Sequence, residues 1–362
     1  YLNMGRLNNL TGREDEALEN YEKARFIYES KFGKEYKSLG SIYVNIGNLY
    51  ITASDYEKAL TYCSEALRIQ RLYYEETHPE VLKTLMNIGY IYYKKGNYNK
   101  ATEYYLKSLK DNNNILSVIR TYRNLGNSYN KQNKLKEARK FFELSLKEST
   151  SHLDKNDPEL ASSFLNYGFF LLEDNTNEEI LDYFKKALEI YNQKLGSNHR
   201  EVANALNHIG LFYLKNKDYS LALEYFQKAL ESISHNSREG QKYSNPSLRD
   251  LPMDYFAFNS LVKKAETLLR LFNEEGQIKH LLHSLETFEL AVDLAEKMTS
   301  SLSSDSKFIL SADVRDAYHG AIHTSALLWE NKADSTYLKS AFKYSEKNKA
   351  SILLSLMREN EA

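Results

Sequence analysis

Cysteine is almost absent from this chain. Of 362 residues only Cys63 carries a thiol, which excludes an internal disulfide and any cysteine-rich metal centre and suits a reducing compartment. Proline is nearly as scarce, at four residues, Pro79, Pro158, Pro246 and Pro252. Because proline breaks helix interiors, the long stretches between them are open to helix. Neither sign of charge dominates: 48 Lys and Arg nearly cancel 49 Asp and Glu, for a net charge of -1. No global field therefore draws in nucleic acid or an anionic membrane, and any basic contact surface is local. Apolar runs stay short of the roughly 18–20 residues of a membrane-spanning helix, and the residues from Tyr1 on do not read as a signal peptide. The expectation is a soluble, cytoplasmic protein. The chain starts at Tyr1 without a Met, inside the first helix of a repeat, so it is expected to be a piece of a longer protein.

What the sequence does have is periodicity. Small residues recur with a spacing of 12 and then 7: Gly5, Ala17, Ala24; Gly47, Ala59, Ala66; Gly89, Ala101, Ser108; Gly126, Ala138, Ser145; Gly168, Ile180, Ala187; Gly210, Ala222, Ala229. The glycines lie 42, 42, 37, 42 and 42 residues apart. Four before each stands Tyr1, Tyr43, Leu85, Tyr122, Phe164 or Leu206, and three after it Asn8, Tyr50, Tyr92, Tyr129, Leu171 or Tyr213. Offsets of three and four trace one apolar stripe on a helix. Gly12, Gly96, Asn133 or Asn175 then marks a turn, and a second helix follows. Its stripe holds Tyr21, Cys63, Tyr105, Phe142, Phe184 and Phe226, each sixteen past its glycine. Each unit is thus an antiparallel helix pair. Where two helices cross within about 8–10 Å only small residues fit, so the pattern is steric. Ile180 breaks it and implies looser packing in the fifth unit. A single hairpin cannot bury its own apolar face, so neighbours must stack.

The phrases NIGNLYITASDYEKALTYCSEAL (45–67), NIGYIYYKKGNYNKATEYYLKSL (87–109) and NLGNSYNKQNKLKEARKFFELSL (124–146) closely resemble the tetratricopeptide repeat. The 42-residue period, with HPEV, DPEL or HREV (78–81, 157–160, 199–202) before the first helix, is similar to the long-helix variety. The resemblance implies an all-α fold, a right-handed superhelical solenoid of about eight antiparallel hairpins. Six of these are expected over 1–232, then a polar linker or long loop over 233–254. Two degenerate hairpins follow over 255–362, with helices over Tyr255–Asn273, Ile278–Met298, Ser306–Asn331 and from Ser335 to the end. In these, Ser284, Phe288 and Ala291, then Ala341, Ser345 and Asn348, take the second-helix positions. The segments 285–298, 305–330 and 337–362 resemble the stretch that precedes the caspase-like CHAT domain in bacterial tetratricopeptide–CHAT proteins. That implies a missing C-terminal protease-like domain, none of whose catalytic residues falls on this chain.

No catalytic constellation emerges. There is no GxxxxGK[ST] phosphate loop, GxSxG elbow or HExxH helix. Cys63 occupies a position that is aromatic in the sister repeats and reads as core, not as a nucleophile. His319 and His323 sit one turn apart, but without a third ligand they read as structural, as do His280 and His283. The Asn two before the glycine (Asn3, Asn45, Asn87, Asn124, Asn166) reads as a hydrogen bond between adjacent hairpins sooner than as a partner contact. No cofactor or metal is expected, and the chain is not expected to be an enzyme; an RNA-binding helical repeat is disfavoured by the balanced charge.

One face of the first helices is more informative. In tetratricopeptide folds this face lines the concave side, and here it offers Lys83, Met86, Tyr90, Tyr93 and Lys94, then Arg120, Arg123, Asn127, Asn130 and Lys131. Leu165, Phe169, Leu172, Asn204 and Asn207 continue it. A basic, aromatic and amide-rich strip suits an acidic peptide or protein segment, because Arg pairs with carboxylates, Asn bonds peptide backbone and Tyr offers an apolar face. The alternatives are an empty, solvated groove and one filled in cis, by a CHAT domain among other parts of the full-length protein.

Overall fold

The histidine and aspartate that open the HPEV, HREV and DPEL motifs are helix caps. His78 and His199 each accept, through Nδ1, the backbone N–H two residues on at 3.2 Å, and Asp157 accepts that of Glu159 at 2.8 Å. Second helices are capped eight residues past the glycine: Asp55, Asn97 and Asp218 accept the N–H of Lys58, Lys100 and Leu221 at 3.0–3.2 Å. Each cap satisfies a backbone donor that the first turn leaves open. The turns preceding second helices use left-handed backbone seven past the glycine, at Gly96 (φ 77°), Asn133 (59°), Ser54 (57°) and Lys217 (63°).

The computed structural model describes residues 1–11, 13–174, 178–235, 242–300 and 304–359, with side chains at all of these but 174, 299–300, 304–313 and 350–359. Gly12 and Asn175, read above as turn markers, lie outside the described residues. The described residues are all-α. In order come α1 (Leu2–Leu10), α2 (Glu14–Phe32), α3 (Lys37–Thr52), α4 (Tyr56–Tyr73), α5 (Pro79–Lys94), α6 (Tyr98–Leu109), α7 (Ile115–Lys131) and α8 (Leu135–His152). These belong to one compact unit, Tyr1–Leu153. Then follow α9 (Pro158–Asp174), α10 (Glu178–Leu195), α11 (Arg200–Lys215), α12 (Tyr219–Ile233), α13 (Tyr255–Glu275), α14 (Ile278–Ser300), α15 (Ser304–Lys332) and α16 (Ser335–Glu359). The second unit comprises Asp154–Ser301 and the chain from Lys307 onward. Consecutive helices from α1 through α8, and again from α9 through α14, pack pairwise.

Two contacts recur in the hairpins and explain the residue pattern. A Cβ placed on Gly5, Gly89, Gly126, Gly168 or Gly210 would stand 2.6–2.8 Å from the ring of Tyr21, Tyr105, Phe142, Phe184 or Phe226. The glycine is thus the seat of the ring sixteen residues later, and only a hydrogen fits there. At Gly47 the seat holds Cys63 Sγ, 2.6 Å from the same point. The second contact is a ring stack between positions three and fifteen past the glycine. Tyr50–Tyr62, Tyr92–Tyr104, Tyr129–Phe141 and Tyr213–Tyr225 all have centroids 5.4 Å apart with planes within 21°. The fifth hairpin lacks this stack because Leu171 replaces the ring, and Tyr183 meets Phe164 and Tyr167 instead. The loosening expected from Ile180 does not occur: Ile180 is fully buried and Phe184 seats on Gly168 like its counterparts.

The helices expected over the last third are present, yet their second-helix pattern works differently. Ser284 Oγ donates to Ala265 O within the α13–α14 hairpin at 2.9 Å, whereas the ring of Phe288 lies against Gly320 of α15. From α16, Tyr344 and Lys347 reach back to Glu289 and Glu296 on α14, at 2.9 and 2.6 Å. The polar stretch before α13 is held in place where it is described. Lys264, buried on α13, donates to Gln227 Oε1, Ser244 O and Asn245 Oδ1 at 2.7, 2.7 and 2.9 Å. Tyr243 stacks on His283 with centroids 5.2 Å apart.

Candidate functional site

The strip on α5 and α7 lies wholly in the first unit, on two helices that touch. Lys83, Arg120 and Lys131 are exposed, while Met86, Tyr90, Tyr93, Lys94, Arg123, Asn127 and Asn130 are half-buried. Met86, Tyr90 and Tyr93 rest one side on the core of Ala101, Tyr105 and Leu125, so they form a wall. Burial pushes the Tyr93 hydroxyl up to about 12, and its ring leans on Tyr98 at 5.5 Å. Lys94 Nζ sits 5.5 Å from the centre of the Tyr90 ring, within cation–π range. The strip is strongly one-sided in charge, since α7 holds no Asp or Glu and α5 only Glu80.

The corresponding positions in the second unit differ. Phe169 is 39% exposed and meets His208 edge-on at 5.1 Å. Asn204 is half-buried, and its carbonyl accepts His208 Nδ1–H at 2.8 Å. Leu165 and Asn207, however, are each only 2% exposed. Asn207 Nδ2 donates to Ser260 Oγ of α13 at 2.8 Å, so this position is consumed in joining first helices. Leu165 and Leu172 belong to the core, which removes the apolar subsite expected of them. Offset from the glycine does not show how closely a neighbouring helix covers a residue.

The recurring Asn is used unevenly. Asn87 Nδ2 donates to Asn48 Oδ1 of the preceding hairpin at 2.9 Å, whereas Asn166 Nδ2 bonds Ser162 O of its own helix at 2.8 Å. Asn45 Nδ2 is buried without a partner. Cys63 is fully buried, and burial pushes its thiol up to about 12, far from a thiolate nucleophile. His280 Nε2 pairs with Glu275 Oε2 at 2.8 Å and His283 Nδ1 with Glu286 Oε2 at 3.2 Å. Among the described residues no three His, Cys, Asp or Glu come together to hold a metal ion, and no helix is long and apolar enough to cross a membrane.

A feature that sequence reading missed lies in the second unit. Between α11, α13 and α15 opens a cavity of about 580 Å³, with Lys217, Arg270, Asn273 and His323 on its walls. Periodicity reaches only its α11 wall, Leu214 and Lys215, because the other residues come from the turn and start of α12 and from two degenerate helices.

Glycine-seated rings, stacked position-three and position-fifteen rings and capped helix pairs define a single repeating unit. A tetratricopeptide repeat profile matches residues 1–61, 38–113 and 159–233, and a second one matches 118–159. The chain belongs to the tetratricopeptide repeat family. Among solved structures, this tetratricopeptide repeat protein is similar to the apo form of RapI, at 16% identity over 83% of this chain and 98% of that one, with a TM-score of 0.57. It is also similar to the Rap conjugation gene regulator of plasmid pLS20 in complex with the Phr* peptide, at 17% identity over 83% and 75% of the two chains, TM-score 0.54. A third likeness is to BtubC (BKLC) from P. vanneervenii, at 17% identity over 67% and 92%, TM-score 0.52. At these identities the likeness is one of fold. No curated protein matches the sequence.

Proposed function

We propose that this tetratricopeptide repeat protein is a non-catalytic interaction scaffold that holds an acidic peptide or protein segment against the first helices of its hairpins. The observation that supports this reading most is the α5–α7 strip. Two touching helices present five cations, four amide or aromatic neighbours and a single carboxylate, and the strip's side chains stay at least partly accessible. Carboxylates of a bound segment would meet Arg120, Arg123 and Lys131, its backbone Asn127 and Asn130, and its apolar groups the wall of Met86, Tyr90 and Tyr93. The similar Rap conjugation gene regulator was solved with a peptide bound, which adds to the case by analogy of fold. The resemblance of 285–298, 305–330 and 337–362 to the region before CHAT domains extends the proposal: the scaffold is the sensing or recruitment arm of a larger protease-like protein.

The test is capture of partners by the purified chain, identified by mass spectrometry, beside the Arg120→Ala/Arg123→Ala variant. Loss of the captured partner, together with a flatter salt dependence, supports the strip. Equal capture by both proteins removes it.

A further inference from the structure

On the second helices of several hairpins a cation is tied to a carboxylate one turn away, as in Lys23–Glu19, Lys107–Glu103, Lys186–Asp182 and Lys228–Glu224, all at 2.5–2.6 Å. In the cavity between α11, α13 and α15 the cations have no such partner among the described residues. Its one acid, Glu266, is already engaged by Lys263 at 2.9 Å. Lys215 is engaged too, donating to the carbonyls of Leu172 and Glu173 at the end of α9. That leaves Lys217, Arg270 and His323, whose side chains make no hydrogen bond or ion pair among the described residues. Arg270 has Glu266 and Glu274 one turn to either side and pairs with neither. Lys217 stands at a left-handed turn position, φ 63°, where sister hairpins place Gly96 and Asn133. A lysine has no conformational advantage there. The lining of the same cavity also includes the apolar Leu214 and Leu269.

We propose that this cavity receives an acidic side chain of a bound peptide next to an aliphatic one. Arg270 and Lys217 meet the carboxylate, His323 and Asn273 supply further polar contacts, and the aliphatic group lies on Leu214 and Leu269. The two leucines in the lining favour a peptide over a bare phosphate group, which would bury nothing against them. The proposal rests on the scaffold reading but uses a surface separate from the α5–α7 strip.

The experiment is fluorescence anisotropy with a labelled, end-blocked hexapeptide of alternating Leu and Glu, and with its Leu and Gln counterpart. The acidic peptide is expected to bind roughly tenfold or more tightly than the neutral one, about the effect of one lost charged contact. Arg270→Gln and Lys217→Gly should each lose about as much. Lys217→Gly relaxes the turn backbone, so its loss of binding cannot be put down to misfolding. Equal binding of both peptides, no binding at millimolar peptide, unchanged affinity in both variants, or displacement by inorganic phosphate as effective as by unlabelled peptide would each overturn the site. If Arg120→Ala/Arg123→Ala abolishes binding and the Arg270 and Lys217 variants do not, this site fails while the scaffold reading stands.

Discussion

The ring of Phe288 on α14 lies where a side chain on Gly320 of α15 would have to begin. In five of the six N-terminal hairpins the ring at this place seats on the glycine of its own first helix; here it seats on the helix that follows. Phe288 is 1% exposed and shares its core with Ala291, Ala321 and Leu328, so it has nowhere to swing. Gly320→Ala gains about 1 kcal/mol of helix propensity but overpacks the ring, and a net loss of about 1–3 kcal/mol in chemical denaturation is expected. Phe288→Ala should cost about 3–5 kcal/mol. The double variant should cost clearly less than the sum, because without the ring the added methyl has room. A neutral Gly320→Ala would show that the contact imposes no constraint.

Much of the fold is legible in the sequence because steric rules repeat. Gly89 and Tyr105, or Gly210 and Phe226, are fixed to one another by spacing alone, and so are the caps at Asn97 and Asp218. What spacing cannot show is how far a neighbouring hairpin closes over a residue. Asn207 has the same offset as Met86 and Arg123, yet it is fully buried against Ser260 whereas those two are half-buried. The stretch before α13 reads as a linker or long loop, and spacing does not show what anchors it. Its anchor, Lys264, is a charge on an otherwise apolar stripe and is joined to residues 19, 20 and 37 positions away, outside any period. The cavity around Arg270 was invisible because two of its three walls belong to degenerate repeats, where the glycine register no longer predicts which residues face each other.

Cys63 offers a test of the seat itself. Its Sγ fills the place of a ring against Gly47, and burial pushes the thiol up to about 12. Iodoacetamide at pH 8 should leave the native protein unmodified over an hour and alkylate it fully in denaturant, since the thiolate forms only when the hairpin opens. Cys63→Ser should destabilise by about 1–3 kcal/mol, because the hydroxyl would be buried facing carbon. Rapid alkylation of the folded protein would contradict the seat.

Lys264 connects stability to pH. Its ammonium group is fully buried and holds Gln227 of α12 together with Ser244 and Asn245 of the preceding loop; Asn245 in turn donates to Thr287 of α14 at 3.0 Å. Burial pushes its pKa from the ordinary 10.5 down to about 7, against the pull of Glu231 and Glu286. The folded chain therefore holds this proton less tightly than the unfolded chain. As pH falls from 10.5 to 7 the unfolded state takes up the proton first, so the stability tied to this group declines across that window and is level below it. The slope has an upper bound of about 1.4 kcal/mol per pH unit. Lys264→Met keeps the bulk and abolishes the titration. The difference in Tm between wild type and this variant, measured at pH 7, 8 and 9, should shift steadily in favour of the wild type as pH rises. A difference that stays constant over that range would mean that the ammonium group is not desolvated in the folded protein, and that the loop before α13 is held by its neutral contacts alone.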